Sequence, residues 1–272
     1  MTTARSTVAV DLDESWSSLT GVHGGHVASL AVDAARAVVG DRAIRTISTN
    51  FLRPVTPGRG SFCVERLHDG RSLSHVTATL WQSEQPVAVS QITAADAVGG
   101  AVWDTSGDVT SGHLTSGHLA IAPIELCVPV APPNGIRHFE HAEALLDPAN
   151  LPFTHGELAR VAGYVRPIDA GATVGSPIDA AWLAMALDWF PPASFSRVDP
   201  PTGGISINYT VHVHHTIGAL PRGEWLRGVF QADISTGGIA LEKGSIADAS
   251  GRLLAESFHT RWMAARRLPP AP

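Results

Sequence analysis

What is scarce in this chain narrows its class quickly. Charged residues make up only 16% of its 272 residues, below the usual quarter. The surface must lean on Ser, Thr, His and backbone polarity, or part of it must be buried against another copy, so a homo-oligomer is expected. Lys and Arg number 19 against 25 Asp and Glu, a formal net charge of −6, and no basic stripe is present. That excludes the electrostatic footprint of a nucleic-acid-binding protein. Arg266-Arg267 is a short basic pair that reads as a solvated element end. The two cysteines, Cys63 and Cys127, lie far apart in apolar company and read as free thiols, not a disulfide. No apolar run approaches the roughly 18 residues of a membrane helix. The N-terminus lacks the apolar stretch of a signal peptide and carries Asp11, Asp13 and Glu14. A cytoplasmic location without membrane insertion is therefore expected. Also missing are the nucleophile-elbow Gly-x-Ser-x-Gly, a P-loop and the dinucleotide Gly-x-Gly-x-x-Gly.

What is present is a hydrophobic fraction of 44%, ample for a full core in a chain longer than one average domain. After the turn Gly21-Val22-His23-Gly24-Gly25, apolar residues from Val27 to Val39 recur every three and four positions. This predicts a buried, Ala-rich helix over Gly25 to Val39, stopped by Gly40-Asp41. Four strands follow, Ala43 to Leu52, Gly60 to Leu67, Ser72 to Gln82 and Gln85 to Ala94, with Asp69-Gly70 as a hairpin turn. Gly, Ser, Thr and Pro dominate from Gly99 to Pro133, which reads as a connection. Short strands are expected at Phe139 to Leu145 and Glu157 to Arg166. A second helix is predicted over Pro177 to Phe190, with Pro177 in its first turn and Pro191-Pro192 as its stop. Gly204 to His214, Glu224 to Ser235, Ile239 to Asp248 and Arg252 to Met263 read as four more strands, with Ser250-Gly251 as a turn. The halves thus share one order, a helix and then a meander of strands. The expected units are 1–105 and 134–272, joined by a linker at 106–133. Their edges can pair into one long sheet with the helices side by side.

Period-two alternation places Ser206, Asn208, Thr210, His212 and His214 on one face of a strand, and Ile205, Ile207, Tyr209, Val211 and Val213 on the other. The polar face is either solvated or lines a site. His212, His214 and His215 suggest a metal, but no local Cys or carboxylate completes a ligand set, so neither metal nor cofactor is expected. His23 and His26 beside Gly24-Gly25 serve local structure or contact a ligand at the helix start. Asp188, near the end of an apolar helix, is unfavourable for that helix's dipole. It either points to solvent or activates water. His259 shares the face of Leu253, Ala255 and Ser257 and reads as a core or rim imidazole.

Several segments together resemble TesB-like acyl-CoA thioesterases of the double-hotdog type. These are His23-Gly24-Gly25-His26 with the Ala-rich helix, Phe51-Leu52-Arg53-Pro54, and Leu67-His68-Asp69-Gly70-Arg71-Ser72. The likeness continues at Asp188 to Ala193, Ser206 to His214, Glu224-Trp225-Leu226 and Asp248 to Arg261. The resemblance implies an α+β fold with two long helices packed on a continuous curved antiparallel sheet. It implies hydrolysis of an acyl-CoA, or a related acyl thioester, by a side-chain-activated water. The family's helix Asp falls on Asp188 and its strand hydroxyl on Ser206. Its final-strand Gln falls on His259, a departure that an imidazole's donor and acceptor capacity can accommodate. His23, Gly24, Gly25, Gly175, Ser176 and Arg71 are the implied substrate contacts. The two glycine-containing turns are expected to offer backbone N–H groups to the thioester carbonyl, and Arg53, Arg71 and Arg261 are candidates for the nucleotide phosphates. A non-catalytic acyl-thioester-binding protein and another hotdog enzyme, such as an enoyl-thioester hydratase, are the alternatives.

Overall fold

The computed structural model describes residues 5–97, 120–130, 135–168, 177–199, 203–220 and 224–263. Gly175, Ser176, Arg266-Arg267 and most of the 106–133 connection lie outside the described residues. The first half runs β1 (Arg5–Leu12), α1 (Gly24–Val39), β2 (Ala43–Phe51), β3 (Gly58–Asp69), β4 (Leu73–Gln82) and β5 (Gln85–Ala95). The second runs β6 (Val128–Pro129), β7 (Ala142–Leu146), β8 (Arg160–Pro167), β9 (Pro177–Ile178), α2 (Ala180–Ala186), β10 (Ile205–Val213), β11 (Ile217–Ala219), β12 (Leu226–Thr236), β13 (Ile239–Ala247) and β14 (Leu253–Trp262).

Twelve strands form one antiparallel sheet in the order β1-β3-β4-β5-β2-β10-β14-β13-β12-β8-β7-β6, while β9 and β11 pair separately. The halves meet where β2 pairs β10, Ile47 opposite Val211 and Thr49 opposite Tyr209. This is the continuous sheet expected from the two meanders, and it is open rather than closed into a barrel. Val27, Ala28, Ala31, Val32 and Ala35 of α1 are fully buried. Their small side chains let α1 lie close to the sheet and to α2. The helices run antiparallel. Gly25, at the start of α1, meets Asp188 beyond the end of α2, while Arg36 Nη2 donates to Asp179 Oδ2 at 2.5 Å at the other end.

Three elements differ from the sequence expectation. The second helix is only seven residues long, Ala180–Ala186, because Asp179 takes the N-cap, its side chain accepting from the Trp182 N–H at 2.9 Å. Pro177 lies in a two-residue strand instead of the first helical turn. The helix also ends before Pro191-Pro192. Tyr209 Oη donates to Ala184 O at 2.6 Å, and His23 Nε2 lies 2.8 Å from Asp188 O. Side chains from other elements thus capture carbonyls that a longer helix would use itself. Phe139 belongs to a 3-10 turn, His138–Glu140, ahead of β7. β1 has no counterpart in the sequence reading, although Val8, Val10 and Leu12 alternate along it; it is held by pairing along β3. The β4–β5 turn falls in the two-residue link expected between Gln82 and Gln85. Ser83 and Glu84 both have left-handed φ, 47° and 61°, the consecutive positive values that suit a tight hairpin turn.

Asp179 both caps α2 and pairs with Arg36. Asp179→Ala is expected to lower unfolding free energy by about 1 kcal/mol, read as a urea midpoint shift. Asp179→Asn keeps the cap and should recover most of that loss, since a half-exposed ion pair contributes little.

Candidate active site

The site forms where the start of α1, the turn after α2, and the inner faces of β10 and β14 converge. The glycines at the helix start allow the approach. A Cβ on Gly25 would meet Met185 O at 2.8 Å and Asp188 Cβ at 2.9 Å, and one on Gly24 would meet Asp188 Oδ2 at 3.0 Å. Into this gap comes the Asp188 carboxylate, its side chain 9% exposed. Oδ2 accepts the Gly25 N–H at 2.9 Å, one of the donors that a helix start leaves free. The position that opposes the dipole of α2 is thus favoured by the dipole of α1.

Oδ1 of the same carboxylate accepts from Arg261 Nη2 at 3.2 Å. Arg261, 4% exposed, also donates to Glu242 Oε1 through Nε at 2.9 Å and Nη2 at 2.8 Å, and to Ser206 Oγ through Nη1 at 3.0 Å. Glu242 Oε2 accepts the Ala193 N–H at 2.5 Å, which fixes the turn after Pro191-Pro192. Ser206 Oγ lies 3.3 Å from His259 Nδ1. Arg261 already occupies an acceptor position of this hydroxyl, so its proton is free to point at Nδ1. His259 Nδ1 lies 3.8 Å from Asp188 Oδ1, too far for a direct hydrogen bond. The imidazole stacks on Tyr209 with ring centroids 4.2 Å apart.

Asp188, Ser206 and His259 are therefore neighbours, though Ser206 arrives by a route the alternation rule missed. Between β10 and β14 the register slips, from Ser206 opposite Arg261 to Asn208 opposite Thr260. Ile207 is the extra residue of a β-bulge, and the bulge reverses the alternation before it. Ser206 joins Tyr209 and Val211 on the helix side, leaving Ile205 and Ile207 exposed at 45% and 37%. The expected grouping of Ser206 with Asn208, Thr210, His212 and His214 is corrected accordingly.

The other candidates divide. His23 is buried. Its Nδ1 accepts the His26 N–H at 3.2 Å, so its Nε2 carries the proton toward Asp188 O. It caps α1 and braces the turn that carries Asp188. The Gly25 N–H, expected to face a thioester carbonyl, is occupied by Asp188. Arg261 is no phosphate clamp, being enclosed between two carboxylates. Arg71 is exposed in the β3–β4 turn, where its carbonyl accepts from Arg42, at the far end of α1 from Asp188. Arg53 is exposed and donates to Pro86 O. His214 pairs with Glu256 at 3.0 Å, a carboxylate that the local sequence does not supply, and no metal-capable group of three forms among the described residues. An open cleft of about 460 Å³, lined by Arg36, Arg42, Arg45, His214 and Asp179, lies at the Asp179 end of α2, remote from Asp188.

A second layer was not foreseen. Trp16 is sandwiched between His26 and His141, each 3.8 Å away and 3° from parallel. His23 stacks on His138 at 4.4 Å, and Trp189 meets His23, His138 and Phe139 edge-on. This stack joins the helix start of the first half to the His138 turn of the second. Glu242 and Arg261 were legible in principle, because period two puts Glu242 on the inner face with Ala240 and Ile246, and Arg261 on the face of His259. The aromatic stack has no such local signal.

Burial controls the titration of these groups. Loss of hydration drives His259 and His26 down to about 3 and His138 to about 2. Burial lowers His23 as well, against the pull of Asp188. Burial alone would raise Asp188, but His23, Arg261 and His259 overcome it and hold the carboxylate at about 2. The imidazoles are neutral in the fold and protonate near pH 6.5 once unfolded. Their stabilising effect is complete above that pH and declines as pH falls toward the folded values. That of Asp188 is complete above its ordinary carboxylate range and is lost only toward pH 2. Thermal unfolding scans should accordingly show the melting temperature dropping from pH 6.5 downward. His138→Gln should flatten the slope by up to about 1.4 kcal/mol per pH unit. Gly25→Ala forces a Cβ against backbone, and a loss of about 1–3 kcal/mol is expected in denaturant titration.

Comparison with known proteins gives this cluster its setting. No curated relative matches the chain. Among solved structures, a protein of unknown function with a hot dog fold from Alicyclobacillus acidocaldarius superposes with a TM-score of 0.76, at 20% identity over 97% of both chains. Acyl-CoA thioesterase II TesB2 from Mycobacterium marinum superposes with a TM-score of 0.66, at 19% identity over 96% of this chain and 93% of that one. The tesB protein MAP1729c of Mycobacterium avium subsp. paratuberculosis does so at 0.62, with 21% identity over 89% of this chain and 87% of that one. These likenesses establish the hot dog fold. The family model described as the acyl-CoA thioesterase N-terminal domain matches residues 12–95, and its C-terminal counterpart matches residues 122–263. With both halves matched over most of its length, the chain belongs to the acyl-CoA thioesterase family and is a hydrolase of acyl-CoA thioesters.

Proposed function

We propose that hydrolysis proceeds by a single water held between Asp188 and His259, with Ser206 orienting that water or the thioester carbonyl. The observation that carries this reading is the 3.8 Å separation of Asp188 Oδ1 and His259 Nδ1. It is too long for a direct hydrogen bond and suits one bridging water. Asp188 is ionised and His259 neutral at ordinary pH, so the carboxylate can accept a hydrogen bond from the water. Nδ1 accepts a second one when the Ser206 hydroxyl turns its proton from the imidazole to the water or the carbonyl. As the water oxygen attacks the thioester carbonyl, its proton passes to the imidazole or the carboxylate, and the C–S bond breaks to release the acid and the thiol. Arg261 touches no substrate in this scheme. It orients Asp188 and Ser206. Of the expected substrate contacts, Gly24 alone lies at this centre without a described role there. His23 and Gly25 are engaged with Asp188, Arg71 lies at the far end of α1, and Gly175 and Ser176 fall outside the described residues. The division into units 1–105 and 134–272 is kept as proposed. A cytoplasmic location fits the unpaired Cys63 and Cys127. No described helix is long and apolar enough to cross a membrane. Self-association of the chain is proposed from its low charge content.

Thiol release from acyl-CoAs of graded chain length tests the scheme. Asp188→Asn should lower kcat by about 10²–10⁴-fold. Turnover within twofold of the unaltered chain would remove Asp188 from the chemistry. Binding of acyl-CoA without turnover by the unaltered chain would favour an acyl-binding role. The profile of kcat/KM should be level through neutrality, with no inflection near pH 6.5, because His259 is already neutral there. Arg261→Met removes a cation that depresses both His259 and Asp188, so the acid limb should move to higher pH. A merely structural role for Arg261 would reduce activity without moving the limb.

A further inference from the structure

The two ends of the sheet differ in a way that bears on assembly. At one end β6 spans only Val128–Pro129, an edge blunted by its shortness and its proline. At the other, β1 is eight residues long, RSTVAVDL, without proline or glycine. Among the described residues β1 pairs only with β3, so one row of its backbone N–H and C=O groups has no strand beside it. An edge of this length, paired along β3 without a register shift, invites another strand.

We propose that β1 pairs antiparallel with β1 of a second copy, about a two-fold axis at Val8. The inference rests on the self-association proposed above and is independent of the hydrolytic reading. The register follows from geometry and charge. A residue whose N–H and C=O face the free edge must meet another such residue, and these alternate along a strand. In a symmetric pair the two residue numbers therefore add to an even value. Within Arg5–Leu12, sums of 16 and 18 each align seven residues. Only the first sets both charged residues against opposite charges. Arg5 then faces the partner's Asp11, Thr7 faces the partner's Ala9, and Val8 faces the partner's Val8.

The rows on either side extend this match. Arg5 lies opposite Glu65 of β3, donating to it through Nε at 2.8 Å, and Asp11 lies opposite Arg59. Across the joined edge, one row reads Glu65, Arg5, the partner's Asp11, the partner's Arg59. Signs alternate through four strands, and the symmetry repeats the row on the other side of the axis. Direct cross-strand pairs of opposite charge are stabilising, and like pairs are not. On the inner face, Val8 and Val10 are half-buried and pack on the core. The pairing brings Val8 against its own counterpart and Val10 against the partner's Ser6, withdrawing further apolar surface from water.

Sedimentation of the full chain at low ionic strength, with Arg5→Glu and Asp11→Lys, tests the pairing. Each variant alone places like charges across both contacts and should weaken the dimer at least about tenfold. An equimolar mixture restores opposite charges at both contacts and should form a heterodimer of near-native affinity. Circular dichroism melts and thiol release check that each variant folds. A chain that stays monomeric at about 100 micromolar would overturn both self-association and this edge. A dimer indifferent to the single variants would place the interface elsewhere and leave self-association standing. Single variants that weaken the dimer but are not rescued by mixing would overturn the register.

Discussion

A carboxylate enclosed between two helix ends stays ionised only while both of its oxygens are answered, and much of this molecule is arranged around that need at Asp188. One oxygen takes a backbone N–H from the start of α1, which requires Gly24 and Gly25 because any Cβ there would hold the helices apart. The other takes Arg261. A buried guanidinium needs compensation in turn, and Glu242 supplies it while also fixing the turn that begins at Ala193. Breaking such a set by removing one member costs more than the set contributes whole, since a buried charge is left unpaired. Two helices, a loop and two strands are thereby constrained to one arrangement by a single group.

The same arrangement decides what chemistry the site can support. A negative Asp188 and a neutral His259 both present acceptors, and Arg261 gives Ser206 a direction by occupying an acceptor position of its hydroxyl. Ser206 faces this centre because Ile207 is looped out of register. The bulge lies at the start of β10, the strand whose other edge pairs β2 of the first half. The element that joins the halves is thus also the one that aims a polar side chain at the helix junction. The stack of Trp16 between His26 and His141 ties the halves a second time, on the helix side. Burial keeps His26 neutral down to about 3, so the stability this junction contributes begins to decline as pH falls below about 6.5, the pH at which the unfolded imidazole protonates.

Most of the architecture was legible from periodicity. The α1 helix, the strands after it and the last four strands all fall within a few residues of the alternation boundaries, because each buries one face and the burial repeats at the period of the backbone. The resemblance at Asp188 to Ala193, Ser206 to His214 and Asp248 to Arg261 brought Asp188, Ser206 and His259 forward as a set. What misled were places where a distant partner decides the local state. Pro177 looked like a helix start until Asp179 took the cap, and Ser206 looked like a neighbour of His212 until the bulge turned it inward. Gly25 looked like a donor to substrate, yet its N–H is used by Asp188. Arg261 looked like a candidate for the nucleotide phosphates, yet it is enclosed between two carboxylates.

Composition and spacing alone established an α+β chain with two helix-and-meander halves, because hydrophobic period is a property of neighbours along the chain. Which polar groups share one dry volume could be decided only by folding. Asp188, Ser206, Glu242, His259 and Arg261 lie on four separate segments, and the register of β10 against β14 and the closeness of α1 to α2 are properties of pairs of elements. No single segment encodes that meeting, because the energy that places each side chain belongs to its partner on another strand.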